Sequence, residues 1–278
     1  MEKSYEAEVS GFRRALIESE KAEATVRKYL LEAENLLEFL AGEELTKERI
    51  LAYREALQKN CRARTVNSKL SAVNMFLKFL GLEKCRVKFL KVQHQVFIAE
   101  NRELSQKEYK RLLSEAKRKG DDRLYYLMLT ICNTGIRVSE LKYITVEAVK
   151  RGRAEIYLKG KNRTVLIPRE LRRLLGEYIR RNGRKSGCVF CTRSGAPMDR
   201  SNICHEMKRL CERANVDASK VFPHNLRHLF ARTYYAVEKN LAHLADVLGH
   251  SSVETTRIYV AASVREHENT FRKMQLIA

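Results

Sequence analysis

The sequence predicts a mainly α-helical protein with one small β-sheet, divided into two domains. Breakers are scarce, with only 3 Pro and 12 Gly in 278 residues, which favours helices. Apolar residues recur at three- and four-residue spacing along most of the chain, the period of one helix face. A good strand pattern appears only at residues 154–167. The length suits two domains of ordinary size.

Residues 1–82 read as helices. In AEATVRKYLLEAENLLEFLAG the apolar stripe runs through Val26, Tyr29, Leu30, Leu36, Leu37 and Leu40, and Gly42 stops it. TKERILAYREALQ forms a shorter helix with Thr46 as its N-cap. RTVNSKLSAVNMFLKFLG carries Leu70, Val73, Phe76, Leu77 and Leu80 on one face, and Gly81 ends it. Residues 83–102 lack a helical period and read as a linker ending near Asn101. We therefore divide the chain into 1–95, a helical domain with its linker, and 96–278.

The second domain opens on RELSQKEYKRLL, where Ser105 and Glu108 have the spacing of a capping box. The apolar run LYYLMLTICN leads to Gly135 and is expected at the centre of a core. AEIYL alternates and TVLI is β-branched, so residues 154–167 read as a hairpin, with KGKNR between the strands. CVF at 188–190 is a weaker strand, and the rest is expected to be helical.

Lys and Arg total 54 against 34 Asp and Glu, a net charge of +20. Such a balance calls for a polyanionic partner. The charge is uneven. Residues 1–58 hold 9 basic and 13 acidic side chains, and residues 59–95 hold 9 basic and 1 acidic. Arg62, Arg64 and Lys69 therefore mark the expected nucleic-acid face of the first domain. No apolar run approaches the roughly 20 residues of a membrane span, and MEKSYEAEVSGFRR has no signal-peptide core. We expect a cytoplasmic protein with no membrane partner. The seven scattered cysteines read as reduced thiols. Cys188 and Cys191 form one CxxC, but no second tight pair follows, so buried thiols are expected rather than a zinc site.

Several residues could carry chemistry. His224 and Arg227, three apart in PHNLRHLFARTYY, can face one ligand from a single helix. An Arg fork with a His beside it suits a phosphate. His250 follows Gly249 at a helix junction, where Ser251 and Glu254 have capping-box spacing for the next helix, which carries Tyr259. Arg137, after Gly135, is placed near a helix N-terminus, where anions are favoured. Lys159 ends the first hairpin strand. Each signal alone is more often structural than functional.

Together, in this order, they are specific. TGIRVSEL, LKGKNRTVLIP, HNLRH and LGHSSVETTRIY resemble the motifs of the tyrosine recombinase (phage integrase) family. RTVNSKLSAVNMFLKFLG is similar to the last helix of that family's N-terminal domain. The compact Xer-type and transposon-type integrases are nearest. The resemblance implies a helical, SAM-like core-DNA-binding domain followed by the tyrosine-recombinase catalytic domain. It implies that Arg137 and Arg227 clamp the scissile phosphate, that Lys159 protonates the leaving 5′ oxygen, and that His224 and His250 bond the phosphate and assist proton transfer. Tyr259 would attack phosphorus to give a 3′-phosphotyrosyl link, with Glu140 in support. Lys161 rivals Lys159, and Ile136 stands where Leu is more usual.

The residue types suit that chemistry. A phenol with a pKa near 10 needs a cationic pocket to act as a nucleophile. Two Arg and one Lys provide it, so no metal or other cofactor is expected. The sequence shows neither an acidic cluster for two-metal cleavage nor a GxxxxGK[ST] loop. The implied partner is double-stranded DNA with an inverted-repeat core site, bound by a homotetramer through Holliday-junction exchange, with an accessory protein allowed for. The apolar tail residues Val264, Phe271, Met274, Leu276 and Ile277 would dock on a neighbouring subunit. Two other readings stay open: a DNA-occupying regulator that does not cut, and a type IB-like topoisomerase that needs no site. The DNA sequence, the biological outcome and cleavage in cis or in trans stay open too.

Overall fold

The structure is a computed structural model that describes residues 5–92, 103–158, 161–192 and 194–260. The chain divides into two units, Met1–His94 and Gln95–Ala278.

The first unit is built from four helices: α1 (Glu6–Glu18), α2 (Glu23–Leu40), α3 (Lys47–Asn60) and α4 (Ala63–Phe79). The Thr46 hydroxyl accepts from the backbone N–H of Arg49 and starts α3 as expected. The left-handed turn at Ala41 and Gly42 ends α2. Helix α4 packs on the other three, and its stripe of Val66, Leu70, Val73, Phe76 and Leu77 is buried among Phe12, Leu36 and Ile50. Two asparagines one heptad apart fasten the chain beyond it. Asn74 Nδ2 donates to the carbonyl of Val87 and its Oδ1 accepts from the Val87 N–H, both at 2.9 Å. Asn67 grips Leu90 in the same way at 2.9 and 2.8 Å. A side-chain amide offers the donor–acceptor pair of a neighbouring strand, so these residues satisfy an extended segment without a sheet.

The second unit begins with α5 (Gln106–Arg118) and α6 (Asp122–Thr134). The Ser105–Glu108 capping box is complete, with reciprocal bonds. Helix α6 is the hub. Leu124, Leu127, Met128 and Ile131 are buried, and the helix packs against α5, α8 (Arg169–Arg181), α9 (Arg200–Lys208) and α11 (Pro223–Glu238). Gly135 ends α6 in the left-handed conformation, φ +62°, which costs glycine least. A Cβ there would run into Phe230 and Leu248.

After a 3₁₀ helix (Val138–Tyr143) and α7 (Val146–Arg151), strands β1 (Arg153–Leu158) and β2 (Lys161–Leu166) pair antiparallel. The hairpin is confirmed, but Lys161, Asn162 and Arg163 belong to β2, with Leu158 opposite Lys161. The segment expected as the turn therefore contributes three residues to the ladder. Backbone pairing does not need apolar side chains, so a polar strand end is invisible to hydropathy.

Cys188–Phe190 forms no strand. Its neighbourhood holds two isolated bridges, Thr145 with Cys188 and Cys191 with Pro197. The unit continues through α10 (Cys211–Ala214), α11, α12 (Leu241–Leu248) and α13 (Val253–Val260). All seven cysteines are free. Among the described residues, no group of three or more His, Cys, Asp or Glu could hold a metal ion. No described helix is long and apolar enough to cross a membrane.

Candidate active site

Arg227 is the centre of the site. Pro223 opens α11 at its first turn, and Arg227 lies one turn on, 1% exposed. Its Nη1 donates to the carbonyl of Gly135, at the end of α6. Its Nη2 donates to the carbonyl of Leu248, at the end of α12, at 2.8 Å, and to His250 Nε2 at 2.9 Å. Helix C-termini present partly negative carbonyls, which favour a buried cation. Burial, reinforced by Arg137, pulls this guanidinium down to about 10, while Tyr259 beside it pushes back up. It is still charged at neutral pH.

A guanidinium only donates, so His250 Nε2 accepts and the proton sits on Nδ1. That proton goes to Thr256 Oγ1, 2.8 Å away on α13. Burial, then Arg227 and Arg137, pulls His250 down to about 4, so the imidazole is neutral at pH 7. Gly249, at φ +64°, makes the turn that delivers it. The cap of α13 differs from expectation: Ser252 Oγ, not Ser251, accepts from the N–H of Glu254. The helix starts one residue later than capping-box spacing implied.

Tyr259 is 6% exposed and lies among three imidazoles. Its ring is 5.4 Å from that of His250, nearly parallel at 27°. It lies 5.7 Å from His224 and 4.3 Å from His228. Its hydroxyl lies near enough to Arg227 to act on that guanidinium's charge. His224 stands on the exposed side, and burial of its ring, then Arg227, lowers its pKa. His228 was given no role from the sequence. The signal was present, since His224 and His228 are four apart on one helix face.

Arg137 precedes a 3₁₀ helix rather than an α-helix. Its Nη1 donates to Glu140 Oε1 at 3.1 Å and its backbone N–H to Oε2 at 2.9 Å. The Arg137 side chain is 40% exposed, whereas Glu140 is 4% exposed. Arg163 Nη2 donates to the same carboxylate, and its Nη1 donates to the carbonyl of Val247 at 3.0 Å. Burial raises the Glu140 pKa, but Arg163 and Arg137 together hold it below the usual carboxylate value. Arg163 is the second residue that sequence reading missed. Its signal is parity: Arg163 shares a strand face with the buried Val165, so an arginine points inward where a hydrophobe is the rule.

The structure thus gathers Arg227, His224, His250 and Tyr259, and joins Arg137 and Glu140 to them along a cleft of about 730 Å³. Arg137, Arg163, Asn162, His250 and Ser251 line that cleft. Lys159 and the five tail residues lie outside the described residues, as does the end of the linker near Asn101. In the first unit Arg62 and Arg64 are exposed. The ammonium of Lys69 is 2.8 Å from both oxygens of the buried Glu32, so its charge is locally met. The site brings a phenol and neutral imidazoles beside a buried guanidinium, next to a cleft lined by Arg137 and Arg163, an arrangement suited to transfer of a phosphoryl group.

Comparison with known proteins is consistent across the chain. Residues 102–266 match the model described as the phage integrase family, and residues 9–84 match its N-terminal SAM-like domain. Tyrosine recombinase XerA of Thermococcus kodakarensis is 30% identical over 268 residues, covering 92% of this chain and 91% of the relative. Among solved structures, the fold is shared with XerH recombinase in a post-cleavage complex on palindromic difH substrate, at a TM-score of 0.71 and 20% identity over 89% of this chain and 79% of that one. It is also shared with a lambda integrase tetramer bound to a Holliday junction, at a TM-score of 0.74 and 15% identity over 93% of this chain and 77% of that one.

Proposed function

Since this chain belongs to the phage integrase family and is a tyrosine-type site-specific recombinase acting on DNA, we propose that Tyr259 cuts and rejoins DNA through a 3′-phosphotyrosyl intermediate. The observation that carries the reading is the packing of Tyr259 against His250 with its hydroxyl beside the buried Arg227. A lone tyrosine on an amphipathic helix is usually core; one whose hydroxyl meets a buried guanidinium is not explained by packing.

The proposed step is an exchange of esters. The Tyr259 oxygen bonds to phosphorus as the bond from phosphorus to the 5′ oxygen breaks. The phenolic proton passes to solvent or to a neighbouring imidazole, and Lys159 gives a proton to the leaving 5′ oxygen. Arg137 and Arg227 hold the non-bridging oxygens, where negative charge grows in the transition state. His224, neutral before DNA binds, serves as a hydrogen-bond partner of the phosphate; His250 would join it once Arg227 turns from its Nε2 to the phosphate and that nitrogen takes up a proton. Glu140 supports Arg137. One phosphoester replaces another, so the energy of the cut bond is kept for religation, and the guanidinium pair supplies the cationic field.

The proposed partner is duplex DNA with an inverted-repeat core site. Four copies would exchange strands in pairs through a Holliday junction, their apolar tails docking subunit to subunit, with an accessory protein allowed for. The XerH complex and the lambda integrase tetramer on a junction support this for relatives of the same fold. Arg62 and Arg64 supply free charge toward DNA in the first unit, while Lys69 offers its stem and what Glu32 leaves of its charge. We propose residues 1–95 as the core-DNA-binding domain with its linker and 96–278 as the catalytic domain.

The test is covalent trapping. The protein is incubated with sheared source DNA, denatured with SDS, and the ends of the protein-linked fragments are sequenced. The expected result is ends clustered at one inverted-repeat site and lost in Tyr259→Phe, which still binds DNA. Adducts that persist in Tyr259→Phe would move the nucleophile elsewhere. Tyr-dependent ends scattered without a site would favour a topoisomerase.

A further inference from the structure

Glu140 sits where its charge opposes the chemistry proposed above. It is a buried carboxylate in direct contact with Arg137, one of the two guanidiniums assigned to the phosphate. Left alone with Arg137, it would cancel that charge and compete with DNA for the same donors. Arg163 stands on its other side. The Arg163 side chain is 13% exposed and ion-paired to Glu140 Oε2. Its second nitrogen holds the carbonyl of Val247, and its stem and Nε lie against Gly249. Two guanidiniums and one carboxylate leave one net positive charge at the cleft, carried on the more exposed Arg137.

Resting on the cutting reading, we propose that Arg163 is a positioning residue: it neutralises Glu140 so that Arg137 keeps its charge for the scissile phosphate, and it pins β2 to the turn that delivers His250. Arg163 meets no reacting atom in this arrangement. It acts through Glu140 and Gly249.

A double-variant comparison separates this role from packing. On a duplex containing the trapped site, Arg163→Met should lower the rate of adduct formation by about 10–100-fold, less than the roughly 100–1000-fold for removing a transition-state donor outright because Arg163 acts through Glu140, with noncovalent DNA affinity nearly unchanged. Adding Glu140→Gln removes the charge that Arg163 neutralised, so the double variant should recover to within about threefold of Glu140→Gln alone, as coupled sites do. A double variant as slow as Arg163→Met would overturn the charge role and leave packing alone, and so would a fully active Arg163→Met. Where Arg163→Met does not fold, Arg163→Gln with and without Glu140→Gln takes its place under the same criteria. A second readout does not depend on cutting. The Glu140 carboxyl, titrated by carbon-13 NMR, should rise clearly in the Arg163 variant; an unchanged titration overturns the proposal even if the native protein forms no adduct. Absence of adduct in the native protein overturns the cutting reading, so the two failures are told apart.

Discussion

At the scale of single residues, two devices hold the site, and each can be tested. Gly249 adopts φ +64° against the stem of Arg163. Any side chain there meets both a left-handed backbone and a filled space. Gly249→Ala should cost about 1–3 kcal/mol of stability, read by denaturant unfolding. Because the shift also moves His250, cleavage should fall further than stability does. A stable but inactive variant would place the loss in geometry, and a fully active one would show that Arg163 yields freely. The second device is the set of neutral histidines. Burial, then His224 and Arg232, pulls His228 down to about 3, and His250 lies at about 4. Arg227 also faces His228, and the Tyr259 ring lies 4.3 Å from it, tilted by 38°. Below the ordinary histidine pKa near 6.5 the unfolded chain takes up protons that the folded chain refuses, so stability falls as pH falls through that value. Carboxylates titrate mainly below this, which leaves the window from pH 6.5 to 5 to histidine. Unfolding free energy should drop across it, and His228→Gln should shrink the drop by about 1–2 kcal/mol. An undiminished drop would show that His228 is protonated in the folded protein.

At the scale of elements, local signals were legible where side chains make the structure and silent where backbone or tertiary contacts do. The start of α5 was legible because its cap is a side-chain reaction. Ser105 Oγ accepts from the Glu108 N–H at 3.2 Å, and Glu108 Oε2 accepts from the Ser105 N–H at 2.8 Å. Ser105→Ala should cost about 1 kcal/mol, or roughly 2–4 °C in melting temperature for a unit of this size; no change would show that Glu108 and Lys220, paired at 3.1 Å, suffice to hold that end. The hairpin was legible in its apolar stretches and hidden in its polar ones, because Lys161–Arg163 pairs through backbone alone. Cys188–Phe190 misled by composition: Val189 and Phe190 are buried, but as packing for the core rather than as a strand. Arg137, His224, Arg227, His250 and Tyr259, which the structure brings into one neighbourhood, were legible as types in an order, while Lys159 lies outside the described residues. Arg163 and His228 were not, because one acts through a partner 23 positions away and the other looked like a second member of an ordinary helix face.

At the scale of the whole molecule, the sequence showed where charge collects, but not which chain would complete a site if several copies met on DNA. The structure bears on that question within the second unit. Tyr259 on α13 reaches Arg227 and the His250 of its own chain, and the connection is short. Only Gly249 to Ser252 separate α12 from α13, with His250 tied to Arg227 at one nitrogen and to Thr256 at the other. A nucleophile donated to a neighbour would have to break the Thr256 bond and leave the imidazole packing. We therefore expect cleavage in cis. Mixing Tyr259→Phe with Arg227→Ala tests it, since each variant lacks a different part of one site. If each chain must complete its own site, neither supplies what the other lacks and the mixture forms no adduct. If α13 crosses to a neighbour, Arg227→Ala donates its tyrosine to the intact pocket of Tyr259→Phe, and adducts reappear on the Arg227→Ala chain. Adduct identity, read by a size tag on one variant, distinguishes the outcomes without reference to the rate.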